Sequence, residues 1–210
     1  RYSPAKSKNA KGRNERGRMR IVYHLGAHFT DEERLLKCLL ANREVLAEHA
    51  IAVPPSRQFR ALLRETAIRL KGEAANVEEQ ALILEDIMAE ERADRLILSW
   101  DSFMALPGWA MKKSLYPSAG GRTRAFSQIF PQIEAEFHVA IRSPATFLPL
   151  LYDRLKPESY DAFMAGTELF SLRWSTVIRR IRASNPEASV TVWCDEDTPL
   201  IWPEVLRRMA

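Results

Sequence analysis

Arg20-Ile21-Val22-Tyr23-His24-Leu25-Gly26-Ala27-His28-Phe29-Thr30-Asp31-Glu32-Glu33-Arg34 decides the fold class. Arg20–Leu25 is a short apolar run, free of Gly and Pro and rich in β-branched and aromatic side chains. Without polar alternation it reads as a strand buried on both faces. A glycine turn follows, and then a helical pattern with Leu35, Leu36, Leu39, Leu40 and Leu46 on one face of Glu32–His49. A strand feeding a glycine turn and a helix N-terminus is the local architecture that cradles phosphate, through free amides and the helix dipole. This is not a Walker A loop, since the second Gly and the Lys-Ser/Thr are missing.

The same alternation continues outward. Leu96–Trp100, Phe137–Ile141 and Val190–Cys194 read as further buried strands. Helical patterns lie between them over Ser56–Lys71, Val77–Arg92, Arg122–Phe130, Pro144–Leu155 and Leu169–Ser184, with a last helix over Pro199–Met209. Strands separated by helical crossovers imply an α/β fold: a three-layer parallel sheet with helices on both faces. Ligands of such sheets bind beyond the carboxyl ends of the strands. That rule points to His24–Glu33, Ser99–Ser102, Arg142–Pro144 and Asp195–Asp197. Residues 104–121, with two prolines and three glycines, form a loop long enough to be a lid or substrate wall.

The formal net charge of +4 is unevenly spread. Residues 1–20 carry eight Lys/Arg and one Glu, leaving 23 basic and 26 acidic residues elsewhere. The expected organisation is a basic, disordered tail or leader over 1–19 and one α/β domain over 20–210. The chain ends within the last helical pattern, as a truncated C-terminus would. The tail suits acidic surfaces or nucleic acid, but the body shows no nucleic-acid face. No apolar run approaches the ~20 residues of a membrane span, and no secretory segment follows the basic start. Cys38 and Cys194 lack zinc or redox spacing, so two free thiols in a reducing, cytoplasmic setting are expected.

The first stretch resembles the opening of bacterial sulfotransferase-like proteins, where a strand leads into His-(apolar)-Gly-x-His-Lys-Thr-Gly-Thr-Thr. His24, Gly26, His28 and Thr30 stand at matching places. Leu39–Ile51 is similar to the family's first helix and its exit. Val139-Ala140-Ile141-Arg142-Ser143-Pro144 is similar to its strand ending in Arg-Asn-Pro. The resemblance implies a P-loop NTPase-like fold and sulfuryl transfer from 3′-phosphoadenosine 5′-phosphosulfate to a hydroxyl acceptor. Gly26, Ala27, His28 and Thr30 would then bind the 5′ side of the donor, and Arg142 and Ser143 its 3′-phosphate. His28 or Asp101 would act as base, with no metal required.

Departures from that pattern point to a second outcome, a catalytically inactive scaffold acting as a binding or protein-interaction module. Phe29 stands where the family has Lys. Asp31, Glu32 and Glu33 replace Gly-Thr-Thr, and Leu150 replaces a phosphate-binding Ser. A helix N-terminus favours an anion by at most about 2 kcal/mol. One carboxylate about 6 Å away repels a phosphate charge by roughly 3 kcal/mol at an effective dielectric of 20.

Each candidate also has a structural reading. Thr30 and Glu33 fit a capping box. Asp101, at a strand end, serves equally as a turn cap, and Arg142 pairs equally well with a neighbouring acid. His28 is placed as a loop-exposed base, whereas His24 and His138 belong to the sheet. Asp195, Glu196 and Asp197 suit a cation or a cap for the last helix, with Pro199 in its first turn. Trp100, Phe103, Trp109 and Tyr116 suit a pocket wall or lid packing.

Overall fold

The computed structural model describes residues 19–89 and 92–210. Apart from Met19, the expected basic tail lies outside them. The first strand is β1 (Arg20–His24), followed by a 3-10 turn and by α1 (Arg34–Ala41) and α2 (Arg43–Glu48). The single helix expected over Glu32–His49 is therefore split. At the break, the Asn42 side-chain amide donates to the Cys38 carbonyl (2.8 Å) and withdraws it from the helical ladder. A strand that the sequence reading lacks, β2 (Ile51–Ala52), comes next; two residues are too few for periodicity to reveal.

Beyond β2 lie α3 (Ser56–Leu70), α4 (Val77–Met88) and β3 (Arg95–Ser99). Asn76 caps α4 by accepting from the Glu79 amide at 2.9 Å. Then follow α5 (Ala119–Ser127), β4 (Glu134–Ile141), α6 (Pro144–Leu155), the unforeseen short α7 (Tyr160–Met164), α8 (Trp174–Ser184), β5 (Ser189–Cys194) and α9 (Thr198–Met209). α8 starts five residues later than expected, because Arg173 is extended and Leu169–Ser171 forms a separate 3-10 turn.

All strand pairs are parallel, in the order β2-β3-β1-β4-β5. β1 is central, between β3 and β4. Its crossover leads toward β2, whereas that of β4 leads toward β5. The carboxyl ends of β1 and β4 thus flank a topological switch point, the usual ligand crevice of such sheets.

Alternation along the buried strands divides the core into two layers. Ile21, Tyr23, Leu96, Leu98, Phe137 and Val139 face α3 to α8, packing with Phe59, Leu63, Phe126, Phe147, Val177 and Ile181. Val22 and Ile97 face the other way, onto Leu35 and Leu39 of α1 and Val205 and Met209 of α9. Each fully buried large side chain contributes about 1.5–3 kcal/mol, so both layers hold the sheet firmly.

Two details constrain the frame. Gly120 on α5 lies so close to α8 that a Cβ there would sit 2.6 Å from the Arg180 carbonyl. On the α9 side, Arg95 donates to Glu136 (2.6 and 3.1 Å) and to the Met209 and Arg208 carbonyls (2.7 and 3.0 Å). It thereby ties the free carbonyls at the end of α9 to the sheet. Burial opposes ionisation of Glu136, but bonds from His138 and Arg95 outweigh it and hold its pKa at about 2. Among the described residues no helix is long and apolar enough to cross a membrane.

Candidate functional site: the closed mouth of the central strands

The carboxyl end of β1 continues hydrogen bonding to β4 past the strand proper. The Leu25 amide donates to the His138 carbonyl and the Ala27 amide to the Ala140 carbonyl, both at 2.8 Å. Between them Gly26 turns at φ +48, a left-handed conformation that suits glycine. Phe29, Asp31 and Glu33 adopt φ of 65, 63 and 61 without being glycine, each at a cost of roughly 1–2 kcal/mol. The loop is held in this shape by partners on every side.

The loop amides, which are the groups able to donate to an anion, are taken up largely within the protein. The His28 amide donates to the Tyr116 hydroxyl (2.9 Å) and the Thr30 amide to the Ala27 carbonyl (3.2 Å). The Asp31 amide donates to a carboxylate oxygen of Asp195 (2.9 Å). Thr30 makes no capping box; its hydroxyl donates to the Ala27 carbonyl at 2.7 Å. Asp31 takes over that role. It turns inward, is buried, and receives the Leu35 amide on both carboxylate oxygens (3.0 and 2.9 Å). Burial raises its pKa, the Leu35 bond and Arg34 counteract, and nearby Asp195 adds to the rise. Glu33 points to solvent.

The second half of the mouth follows β4. Arg142 donates through Nη1 to the Phe29 carbonyl (2.6 Å) and through Nε to Thr146 (3.0 Å), and its Nη1 lies 3.8 Å from Asp195. The fork expected to clamp a phosphate is thus engaged within the protein. The Ser143 amide, at the start of α6, donates to the Glu196 carboxylate at 2.8 Å. Burial works against the ionised form of Glu196, yet the Ser143 bond and Arg142 prevail and its pKa is lowered. Asp195 and Glu196 are neighbours in one 3-10 turn after β5. One turn therefore places a carboxylate on the loop after β1 and another on the loop after β4.

His28 departs from expectation. It is buried, at 2% exposure, because Tyr116 from the 104–121 segment folds over it. Its Nδ1 lies 2.7 Å from the Tyr116 hydroxyl, the rings stack at 5.7 Å, and Nε2 has no partner among the described residues. Burial lowers its pKa while Asp101 opposes the shift. Asp101 also adds to the rise in the Tyr116 pKa, which burial dominates. Asp101 itself is exposed and accepts from the Ser102 hydroxyl at 3.0 Å. His28 and Asp101 are thus brought to the same mouth, with the buried Tyr116 stacked on the histidine.

Of the aromatic group, Phe103 and Tyr116 are buried, Trp100 packs edge-on to Phe103, and Trp109 is exposed beneath Lys112. His24 lies on the α9 face, with Nδ1 2.8 Å from the Ser99 hydroxyl and its ring stacked on Trp193. Among the described residues no group of three or more His, Cys, Asp or Glu is placed to hold a metal ion.

The expected residues Gly26, Ala27, His28, Thr30, Asp101, Arg142 and Ser143 lie in the segments that follow β1, β3 and β4; the closure of the mouth by Asp195 and Glu196 is not legible in the sequence. That contact requires β5 to lie beside β4, and the order of strands is not written in any one motif. Compared with known proteins, the chain matches no family model and no curated sequence.

Proposed function

We propose that this chain is a sulfotransferase-like scaffold of P-loop type whose donor site is filled by its own carboxylates, so that it works as a binding module. The observation that carries this reading is the turn after β5: Asp195 on the Asp31 amide and Glu196 on the Ser143 amide. The Asp31 amide adjoins the Gly26–Thr30 stretch to which the resemblance gives the 5′ side of the donor, and Ser143 is one of the two residues to which it gives the 3′-phosphate. Charge-assisted hydrogen bonds contribute about 1.5–3 kcal/mol each. Glu196 is exposed, so its bond counts only about 0–1 kcal/mol; displacing both costs an incoming nucleotide about 1.5–4 kcal/mol, or roughly 10–10³ in affinity. Phe29, in place of Lys, offers no charge to offset that. Cys38 and Cys194, both free, suit a reducing setting such as the cytoplasm.

Thermal shift with 3′,5′-adenosine bisphosphate, with and without magnesium, tests this reading. The native chain should show no shift at millimolar ligand, and Asp195→Ala/Glu196→Ala should gain one. A shift of the native chain that disappears in Arg142→Ala would show the donor site to be open. A second reading, sulfuryl transfer from 3′-phosphoadenosine 5′-phosphosulfate to a hydroxyl, is favoured by one observation. Nε2 of His28, without a partner among the described residues, is held neutral by burial, the form a general base needs once the Tyr116 cover swings away. Donor-dependent sulfation lost in His28→Gln would establish it.

A further inference from the structure

His28 meets the Tyr116 hydroxyl twice. Its amide donates to that oxygen at 2.9 Å, and its Nδ1 lies 2.7 Å from it. A phenol has a single proton to give, and a neutral imidazole carries a proton on one nitrogen and a lone pair on the other. Burial keeps His28 neutral. Two arrangements then fit the Nδ1 contact. In the first, Tyr116 donates to Nδ1 and the ring proton sits on Nε2. In the second, Nδ1 donates to Tyr116, and the phenol proton needs an acceptor elsewhere.

Among the described residues no other hydrogen bond reaches the hydroxyl, and Tyr116 is fully buried. The second arrangement therefore strands the phenol proton as well as Nε2, whereas the first strands Nε2 alone. A buried donor left without an acceptor disfavours the second by roughly five- to 150-fold.

The hydroxyl is held in place from several sides. The Tyr116 amide donates to the Ala110 carbonyl (2.7 Å), and its carbonyl accepts from the Ala119 amide (3.0 Å). The ring packs against Phe147 and Trp174, with centroids 6.0 and 5.6 Å away. Trp174 is itself anchored, since its indole nitrogen donates to the Arg142 carbonyl at 2.6 Å. These contacts keep Tyr116 at φ 40, a left-handed conformation that is costly for an aromatic residue. Strain of this kind, held by surrounding structure, gathers at functional sites.

We propose that Tyr116 is a positioning residue that locks His28 in the Nε2–H form, so that Nε2 can donate a hydrogen bond but cannot take up a proton. The bond made by one ring nitrogen sets the protonation of the other. For Nε2 to act as a base, the Tyr116 bond must break and the ring proton must move from Nε2 to Nδ1. The lock thus regulates the base of the sulfuryl-transfer reading and rests on that reading for its consequence alone. The lock itself is a property of the folded chain.

The test is nitrogen-15 NMR of the full chain with labelled histidine rings, using the long-range ring couplings that tell Nδ1 from Nε2. The signals of His28 are those that vanish in His28→Gln. In the native chain the Nε2–H form should exceed the other by at least about five to one. Its Nδ1 signal should be displaced from that of a free lone pair toward that of a hydrogen-bonded one. In Tyr116→Phe, which keeps the ring and removes the hydroxyl, Nδ1 should return to the free-lone-pair position. A proton on Nδ1 in the native chain would overturn the proposal without need of any variant. So would an Nδ1 signal that Tyr116→Phe leaves unchanged. The readout is the place of a proton, so the lock can fail while sulfation is observed, and can hold where none is found.

Discussion

His24 makes the fold sensitive to acid in a window that can be calculated. Burial, reinforced by the neighbouring His138, lowers its pKa from 6.5 to about 3. Its ring is fixed by Ser99 and Trp193, and among the described residues Nε2 has no partner to share a proton. The folded state therefore keeps His24 neutral while the unfolded chain takes up a proton below pH 6.5. Its contribution is complete above pH 6.5 and is lost as the pH falls toward 3. At pH 5 the loss is 1.5 units of proton linkage, about 2 kcal/mol. For a domain of this size that lowers Tm by roughly 4–8 °C.

Glu136 does not confuse the measurement. Its contribution is lost as the pH falls from the unfolded value of 4.5 toward about 2, outside pH 5–7.5. His28, also lowered, acts in the same direction, so the assay compares slopes. Tm is followed by calorimetry from pH 7.5 to 5 in the native chain and in His24→Asn, whose side-chain amide can keep the Ser99 bond. The variant should be less stable at pH 7.5 but lose about 2 kcal/mol less on acidification. An identical slope in the two proteins, or an NMR titration of folded His24 near 6.5, would show that His24 is not held neutral by the fold.

Two further substitutions probe the frame. Arg95→Met strands Glu136 and leaves the last carbonyls of α9 without their donor, and should cost about 3 kcal/mol in urea unfolding; loss of less than about 1 kcal/mol would contradict the assigned pairing. Gly120→Ala ordinarily stabilises a helix by about 1 kcal/mol. Here the added Cβ meets the Arg180 carbonyl and the Ser184 hydroxyl, each at 2.6 Å. Thermal melts should show a net loss of about 1–3 kcal/mol, and a gain would mean that α5 and α8 are farther apart.

The layers of the fold are legible in the sequence wherever burial imposes a long pattern. Pro144–Leu155 matches α6 end to end, and the four strands expected from apolar runs all form. β2 and α7 escape because two and five residues carry no period. The split at Asn42 escapes because a side-chain bond, not hydrophobicity, makes it. At the mouth, the acidic character of the loop is visible in Asp31–Glu33, but its consequence is not. Asp31 turns inward as a cap, and the carboxylates that close the site come from Asp195 and Glu196, more than 160 positions away in the case of Asp195. Contacts of that range depend on strand order, which local periodicity does not encode. His28 is misplaced for a similar reason: its burial comes from Tyr116, far off in the chain.

Arg180 joins two of these features. Its carbonyl is the atom that Gly120 approaches, and its guanidinium donates to the Leu115 carbonyl at 3.1 Å. Leu115 precedes the tyrosine that covers His28. One residue of α8 therefore acts as a yoke, with the α5 crossing on one arm and the histidine cover on the other. Widening the helix pair by a single methyl group pulls on both, so damage at the back of the domain is felt at its front. The missing side chain at Gly120 thus bears, through Arg180 and Leu115, on the tyrosine that stacks on the imidazole.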